Sequence, residues 1–469
     1  MNFVQFEFPI FFGLIFILFW TLKRRAWQNM LLVVCSAVFY GWVHPWFLLL
    51  LYGSAILDFN MGKRMVEDAD NKKRYLWISM LGNVGMLGYF KYCNFFIDNF
   101  NAIFATLGLG ASLQNLSIFL PVGISFYTFQ TMSYTIDIYK GELKPRNNFI
   151  DYLAFISFFP QLVAGPVERA ATLLPQMETD KVFNWKQFCS GMQLALWGAF
   201  KKVWIADTVA MYVDRIFLLE APSSAMIWAA TLGFTVQILA DFSGYTDIAR
   251  GTARMLGFEL MLNFDHPYLA RNPSEFWRRW HISFSTWIRD YLYIPLGGSR
   301  GGEGTRLKAS YGAMLISGLW HGASWTFVLW GAYHATLLAG YKYIGKWIPR
   351  EIRKANWMAP FSVSLMFVFT VAGWMIFRET SIGRIGYYLS LSPLEGTPEQ
   401  WLAASLMLGI TLLSAIPLII ALIIEKFLVP KIENKPLFLP LQTTSWAILL
   451  CGILLMQRDI SQDFIYFQF

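Results

Sequence analysis

The chain has 469 residues, 56% hydrophobic and 14% charged, with a formal net charge of +8. Soluble domains carry about a quarter charged residues, so this composition excludes a soluble multidomain protein and points to an integral membrane protein. The basic residues fall in short clusters between apolar runs, a positive-inside pattern that explains the charge without nucleic acid as a partner.

The first apolar stretch runs from Phe8 to Trp20. Lys23, Arg24 and Arg25 follow it and Glu7 precedes it, the reverse of a signal peptide, which predicts a first membrane helix with its N-terminus outside. Residues 28–42 and 46–61 form two apolar arms broken at His44-Pro45, which predicts a helical hairpin turning outside and returning to the cytoplasm at Lys63 and Arg64. Crossings are predicted near 75–96, 117–139 and 150–164, with Lys140, Lys144 and Arg146 cytoplasmic, then near 187–205, 226–240, 309–330, 331–348, 358–377, 402–425 and 441–456. That makes about a dozen membrane segments, each near the roughly 20 residues a spanning helix needs. No repeat or linker divides the chain, so residues 1–469 read as one all-α membrane domain. The cysteines at 35, 93, 189 and 451 form no CxxC pair and indicate neither a disulfide framework nor a zinc site.

Residues 241–308 mix aromatic side chains with groups that lipid rejects, among them Asp241, Asp247, Arg250, Arg254, Asp265, Arg271, Glu275, Arg278, Arg279, His281, Arg289 and Asp290. Such groups must face a cavity, a partner charge or the interface; an amphipathic surface helix is the plainer alternative. Asn272, Pro273 and Glu275 form a helix start, with Asn at the N-cap and a capping-box Glu. The predicted helix runs to about Tyr293, placing Trp277, His281 and Ser285 on one face with Arg278 and Arg289 near its edge. Pro295 and Gly297-Gly298 end it, and a Gly-rich loop with Arg300, Arg306 and Lys308 follows, either a solvated connector or a contact for phosphates. His266 precedes Pro267 and reads as a loop-shaping residue.

His321 stands within an apolar run, with Ser317 and Ser324 on its predicted helical face. A lone histidine there is either a hydrogen-bonded structural residue or a general base that takes a proton from a hydroxyl attacking a thioester or ester. His334 and His44 lack the polar context of His321.

Several ordered stretches resemble the alginate O-acetyltransferase branch of the membrane-bound O-acyltransferases. They are Asp241–Asp247 (DFSGYTD), Pro273–His281 (PSEFWRRWH), Asp290–Gly298 (DYLYIPLGG) and Gly318–Gly322 (GLWHG), with Pro121–Gln130 and Phe159–Pro166 upstream. The resemblance covers most of the chain and is densest over 121–331. It implies a helical ring with re-entrant or interfacial helices around a central tunnel, where funnels from both faces meet at the catalytic histidine. It carries that role onto His321 and a second active-site role onto His281, and it puts Trp277, Arg278, Trp280, Ser285, Arg289, Asp241, Tyr245, Trp320 and Ser324 among substrate- or donor-binding candidates. Acetyl-CoA is the implied donor and an exopolysaccharide the acceptor, with a periplasmic acetyltransferase partner and a synthase or export complex as implied partners in the inner membrane. Nothing in the motifs chooses among alginate, cellulose and peptidoglycan acetylation or D-alanyl transfer. Direct transfer, transfer through a partner serine and an acetyl-histidine relay all stay open. A polysaccharide transporter or flippase is the rival class, since buried charges and broken helices also mark transport pathways.

Overall fold

Hydrocarbon offers no partner to a backbone N–H or C=O, so a chain of this composition has to satisfy both within its own segments. In the computed structural model it does so with helices, and no β-strand occurs among the described residues, which are 1–42, 44–110, 112–163, 165–349, 351, 355–432, 438–457 and 464–465. Ala164, within one of the family-like stretches, lies outside them. By contacts the chain divides into two compact units, Met1–Gly191 with Ala249–Met261, and Met192–Ile248 with Leu262–Phe469.

The first unit holds α1 (Glu7–Thr21), α2 (Arg25–Gly41), α3 (Phe47–Glu67), α4 (Lys72–Leu87), α5 (Cys93–Thr106), α6 (Ile124–Lys140), α7 (Phe149–Ser157), α8 (Phe159–Leu162) and α9 (Ala170–Met177). Its core buries a carboxylate. Asp58 on α3 accepts hydrogen bonds from Ser79 Oγ at 2.6 Å and Asn83 Nδ2 at 2.8 Å, both on α4, so a group that lipid would reject is held by neutral donors.

Helices α10 (Trp185–Phe200), α11 (Asp207–Phe217) and α12 (Ser224–Met255) come next in the chain, followed by α13 (Pro273–Arg279), α14 (Ile282–Ile288), α15 (Glu303–His321), α16 (Trp325–Trp347), α17 (Met358–Arg378), α18 (Ile382–Ser390), α19 (Pro398–Ile423), α20 (Val429–Ile432) and α21 (Phe438–Met456). Within the second unit, α10 and α12 approach so closely that a β-carbon on Gly198 would lie 2.5 Å from the carbonyl oxygen of Gly244. A π-helical stretch, Lys201–Ala206, follows α10. Lys201 there pairs with Asp247 at 2.5 Å, and Lys202 bridges Asp207 at 2.8 Å and Asp241 at 2.7 Å. Paired in this way, the acidic residues of the DFSGYTD stretch sit within a continuous helix, and α12 runs on to Met255 instead of ending near 240.

Three helical spans are long and apolar enough to cross a membrane, Ser224–Met255, Met358–Arg378 and Pro398–Lys431; Glu7–Thr21, Phe149–Leu162 and Pro440–Met456 are shorter apolar helices. Further predicted elements differ from the structure. The helix expected from Asn272 to Tyr293 breaks at His281, whose φ of 44° lies in the left-handed region. The backbone explains the break, because Arg279 O accepts from Asp265 N at 2.9 Å and Ile282 N donates to Asn263 O at 2.9 Å, which takes both groups out of the helical ladder. Trp277, His281 and Ser285 therefore do not share a helical face. Similarly, the predicted crossing 309–330 is two antiparallel helices: α15 ends at His321, and Ser324, instead of sharing a helical face with His321, caps α16 by accepting from Thr326 N at 3.3 Å. Arg306 and Lys308 lie on the opening turns of α15 and not in a loop.

The α15–α16 hairpin is held at backbone contact. A β-carbon on Gly318 would collide with the carbonyl oxygen of Phe327, and one on Gly331 with that of Met314, whereas Gly340 on α16 has nothing within 4 Å of the corresponding point. Overpacking of this kind costs about 1–3 kcal/mol. Gly318→Ala should lower the unfolding temperature in detergent and reduce activity, while Gly340→Ala leaves both near wild type; equal behaviour of the two variants would remove the close contact from the account.

Candidate active site

The end of α15 places His321 in an aromatic box. The residue is 3% exposed, and its ring lies 5.0 Å from Trp320, 5.0 Å from Trp330, 5.3 Å from Phe377 and 5.4 Å from Phe284, centroid to centroid. Those walls come from α14, α15, α16 and α17, all in the second unit.

His281 is fully buried against two of the same rings. Phe284 lies 5.0 Å from it and Trp320 6.2 Å. Its Nδ1 is 3.1 Å from Asn263 Oδ1, an atom that also accepts from Ser283 N at 3.2 Å and Ser283 Oγ at 2.8 Å. A backbone N–H only donates, so that Asn263 atom is the oxygen and His281 Nδ1 must be the donor. Neutral His281 thus carries its proton on Nδ1 and its lone pair on Nε2.

A cavity of about 1060 Å³ opens within the same unit. Arg271, Arg278, Arg289, Arg306 and Lys342 line it, and among the described residues no carboxylate does. Arg289 is paired with Asp290 at 2.6 Å and Arg306 with Glu303 at 3.4 Å, while Arg271, Arg278 and Lys342 have no carboxylate partner among the described residues. Its lining also includes Ser317, one turn before His321 on α15, and Phe284, the ring shared by the two imidazoles. The cavity therefore combines a positive wall with Phe284, a ring of the His321 box, while neither His321 nor His281 is among its lining residues.

Of the residues singled out in the sequence, Trp277, Arg278, Ser285 and Arg289 line this cavity. Trp320 borders both imidazoles, and Trp280 lies buried with its ring stacked on Phe276 at 5.8 Å. Asp241 and Tyr245 lie away from the cavity lining: Asp241 bonds Lys202 and accepts from Ile465 N at 2.8 Å, and Tyr245 packs on Phe464 at 4.5 Å. They connect to the site through Phe242, whose ring is 5.5 Å from Phe464 and 4.7 Å from His281. Asn263 escaped the sequence reading, and His334 was set aside there for want of a polar context. Asn263 orients His281, and His334, 2% exposed, lies 4.7 Å from Trp330 and 5.0 Å from Trp277, inside the aromatic cluster that borders His321. The spacing of Trp330 and His334, one helical turn apart, was the available signal.

The characteristic sequence pattern of the membrane-bound O-acyltransferase family matches residues 142–378 of the 469, a range that holds every one of these imidazoles. The chain is also 39% identical over 378 residues to a probable alginate O-acetylase of Pseudomonas aeruginosa, covering 80% of this chain and 70% of the relative. The chain belongs to the membrane-bound O-acyltransferase family. It is an integral membrane O-acyltransferase, and the aromatic box around His321 is the candidate site of a membrane-bound O-acyltransferase reaction. A peptidoglycan O-acetyltransferase of Helicobacter pylori is 33% identical over 406 residues, 80% of this chain and 75% of that protein. A teichoic acid D-alanyltransferase of Bacillus subtilis is 26% identical over 278 residues, 56% and 69% of the respective chains.

Losing Asn263 Oδ1 releases the His281 tautomer. Asn263→Ala should lower the acyl-transfer rate about 10- to 100-fold, the size of one or two buried hydrogen bonds. Ser283→Ala, which leaves the His281–Asn263 bond in place, should cost much less; the opposite ranking in a radiolabelled transfer assay would show that Asn263 does not orient His281.

Proposed function

We propose that the protein moves an acetyl group from cytoplasmic acetyl-CoA across the bacterial inner membrane to a hydroxyl of an exopolysaccharide, alginate- or cellulose-like, directly or through an extracytoplasmic partner protein. The observation that carries this reading is the cationic cavity that shares the Phe284 ring with the His321 box, because a coenzyme A thioester would bring phosphates to a positive wall and an acyl group towards the imidazole. The reading also takes the whole of residues 1–469 as one membrane domain, with the ring of about a dozen crossings around a tunnel that the family implies.

In this scheme the acceptor oxygen adds to the thioester carbonyl as its proton passes to His321. The C–S bond then breaks, and the coenzyme A sulfur takes that proton from His321, which returns neutral. Arg278 holds a donor phosphate. His281, with Nδ1–H committed to Asn263, offers Nε2 as an acceptor that orients a hydroxyl. An alginate-like acceptor is supported by the name of the 39% identical relative, and the 33% identical peptidoglycan O-acetyltransferase supports peptidoglycan as the second reading. D-alanyl transfer rests on the weaker 26% likeness. Membership of an acyltransferase family argues against a transporter or flippase.

His321→Ala deletes one imidazole from a box whose other walls are aromatic, so membrane abundance should stay near wild type. Transfer of labelled acetyl in isolated membranes should fall about 10²- to 10⁴-fold, the range for loss of a general base. Retention of more than a few percent of wild-type transfer would move the base elsewhere.

A further inference from the structure

Among the buried hydrogen-bond donors of the same cluster that the mechanism above leaves without a task, two indoles stand out. Trp277 Nε1 and Trp330 Nε1 are both buried and have no hydrogen-bond partner among the described residues. Buried indole N–H groups ordinarily find an acceptor, and one left unpaired is costly, so phenylalanine would supply the same aromatic wall without that penalty. Two such donors in one place need a physical reason.

Their placement supplies it. The two indoles meet edge to face, 5.7 Å apart at 80°. Trp277 lines the cationic cavity, and Trp330 stands 5.0 Å from His321 at 87°, so the pair forms a chain of ring contacts from the cavity lining to the candidate base. His334 packs against both, at 5.0 Å from Trp277 and 4.7 Å from Trp330, and stacks on Phe276 at 6.0 Å and 7°, which fixes the two indoles relative to each other.

Resting on the reading of the cavity as the donor site, we propose that Trp277 and Trp330 donate their indole N–H groups to the carbonyl oxygen of the donor's acyl group, and that His334 positions them. An indole N–H can donate but neither accepts nor releases a proton at working pH, so it suits an oxygen that gains charge and does not suit proton transfer. In acyl transfer that oxygen is the carbonyl oxygen, which becomes negative as the acceptor hydroxyl adds, and fixed donors aimed at it act in a site closed to water. The arrangement divides the labour: His321 handles the proton, and the indole pair handles the negative charge.

The test compares two probes that differ in one oxygen, acetyl-CoA in the absence of acceptor and S-ethyl-CoA, binding to the purified full-length protein in detergent. Wild type should bind acetyl-CoA about 10- to 100-fold more tightly, the discrimination of two hydrogen bonds. Trp330→Phe and Trp277→Phe should each narrow that gap, and the double variant close it, while binding of S-ethyl-CoA stays unchanged. In the transfer assay Trp330→Phe should lower kcat about 10²-fold, the loss typical of one oxyanion donor, with the acceptor KM unaltered. His334→Gln should produce a smaller loss of kcat and of the affinity ratio together, which a purely structural defect does not produce. Equal affinity of wild type for the two probes overturns the proposal even where a variant fails to fold, as does an affinity ratio that survives both Phe substitutions. Failure of wild type to bind either probe overturns the donor reading of the cavity itself, and this inference with it.

Discussion

Backbone contact between α15 and α16 is the constraint on which the site depends. Because Gly318 faces the Phe327 carbonyl and Gly331 faces the Met314 carbonyl with no room for a β-carbon, the two helices lie at minimum separation over their shared turn. With α15 ending at His321, that separation brings Trp330 of α16 edge-on to the imidazole. It also aligns Trp330 with His334 along one stripe of α16, so the same packing that fixes the candidate base fixes the indole and imidazole behind it. A helix pair held apart by larger residues would leave His321 on a looser wall, and acyl transfer is sensitive to displacements of that order.

His281 depends on a different set of supports. Its left-handed backbone conformation is strained for a residue with a β-carbon, and the backbone pairing of Arg279 with Asp265 and of Ile282 with Asn263 holds it there. The side chain is then fixed by Asn263 from one direction and by Phe242 from another. Phe242 is backed by Phe464, beyond the family-matched residues 142–378, and Ile465 next to it bonds Asp241, itself neutralised by Lys202. The buried ion pairs of α12 thus serve the site at a distance: they allow acidic residues inside an apolar unit and give a late segment of the chain a place to dock.

Much of this was legible in the sequence because it is local. Asn272 caps α13, its side chain accepting from Glu275 N at 2.9 Å, and Pro273 opens the helix, as the residue types require. The reciprocal half of the capping box departs from expectation, since Glu275 Oε2 accepts from Arg271 N instead of the Asn272 N–H. The break at His281 could not be read from periodicity, because it is caused by residues 263–265, well upstream of the helix they interrupt. The turn at Gly322 was hidden in a run whose hydropathy continues unchanged through two antiparallel helices. His334 was set aside because its neighbours along the chain are apolar, while the aromatic groups that define its surroundings, Phe276 and Trp277, come from α13. The placement of Phe464 and Ile465 against α12 had no local signal at all.

The central claim is that the acyl donor enters the cationic cavity and presents its acyl carbon to His321. Photolysis of the purified protein with a coenzyme A thioester carrying a diazirine in its acyl chain, followed by peptide mapping, tests this directly. Attachment is predicted within Trp277–Ser285, Ser310–His321 and their aromatic neighbours on α16, and it should disappear when unlabelled acetyl-CoA is added in excess. Labelling confined to other parts of the chain, or labelling at these positions that acetyl-CoA does not compete away, would contradict the account.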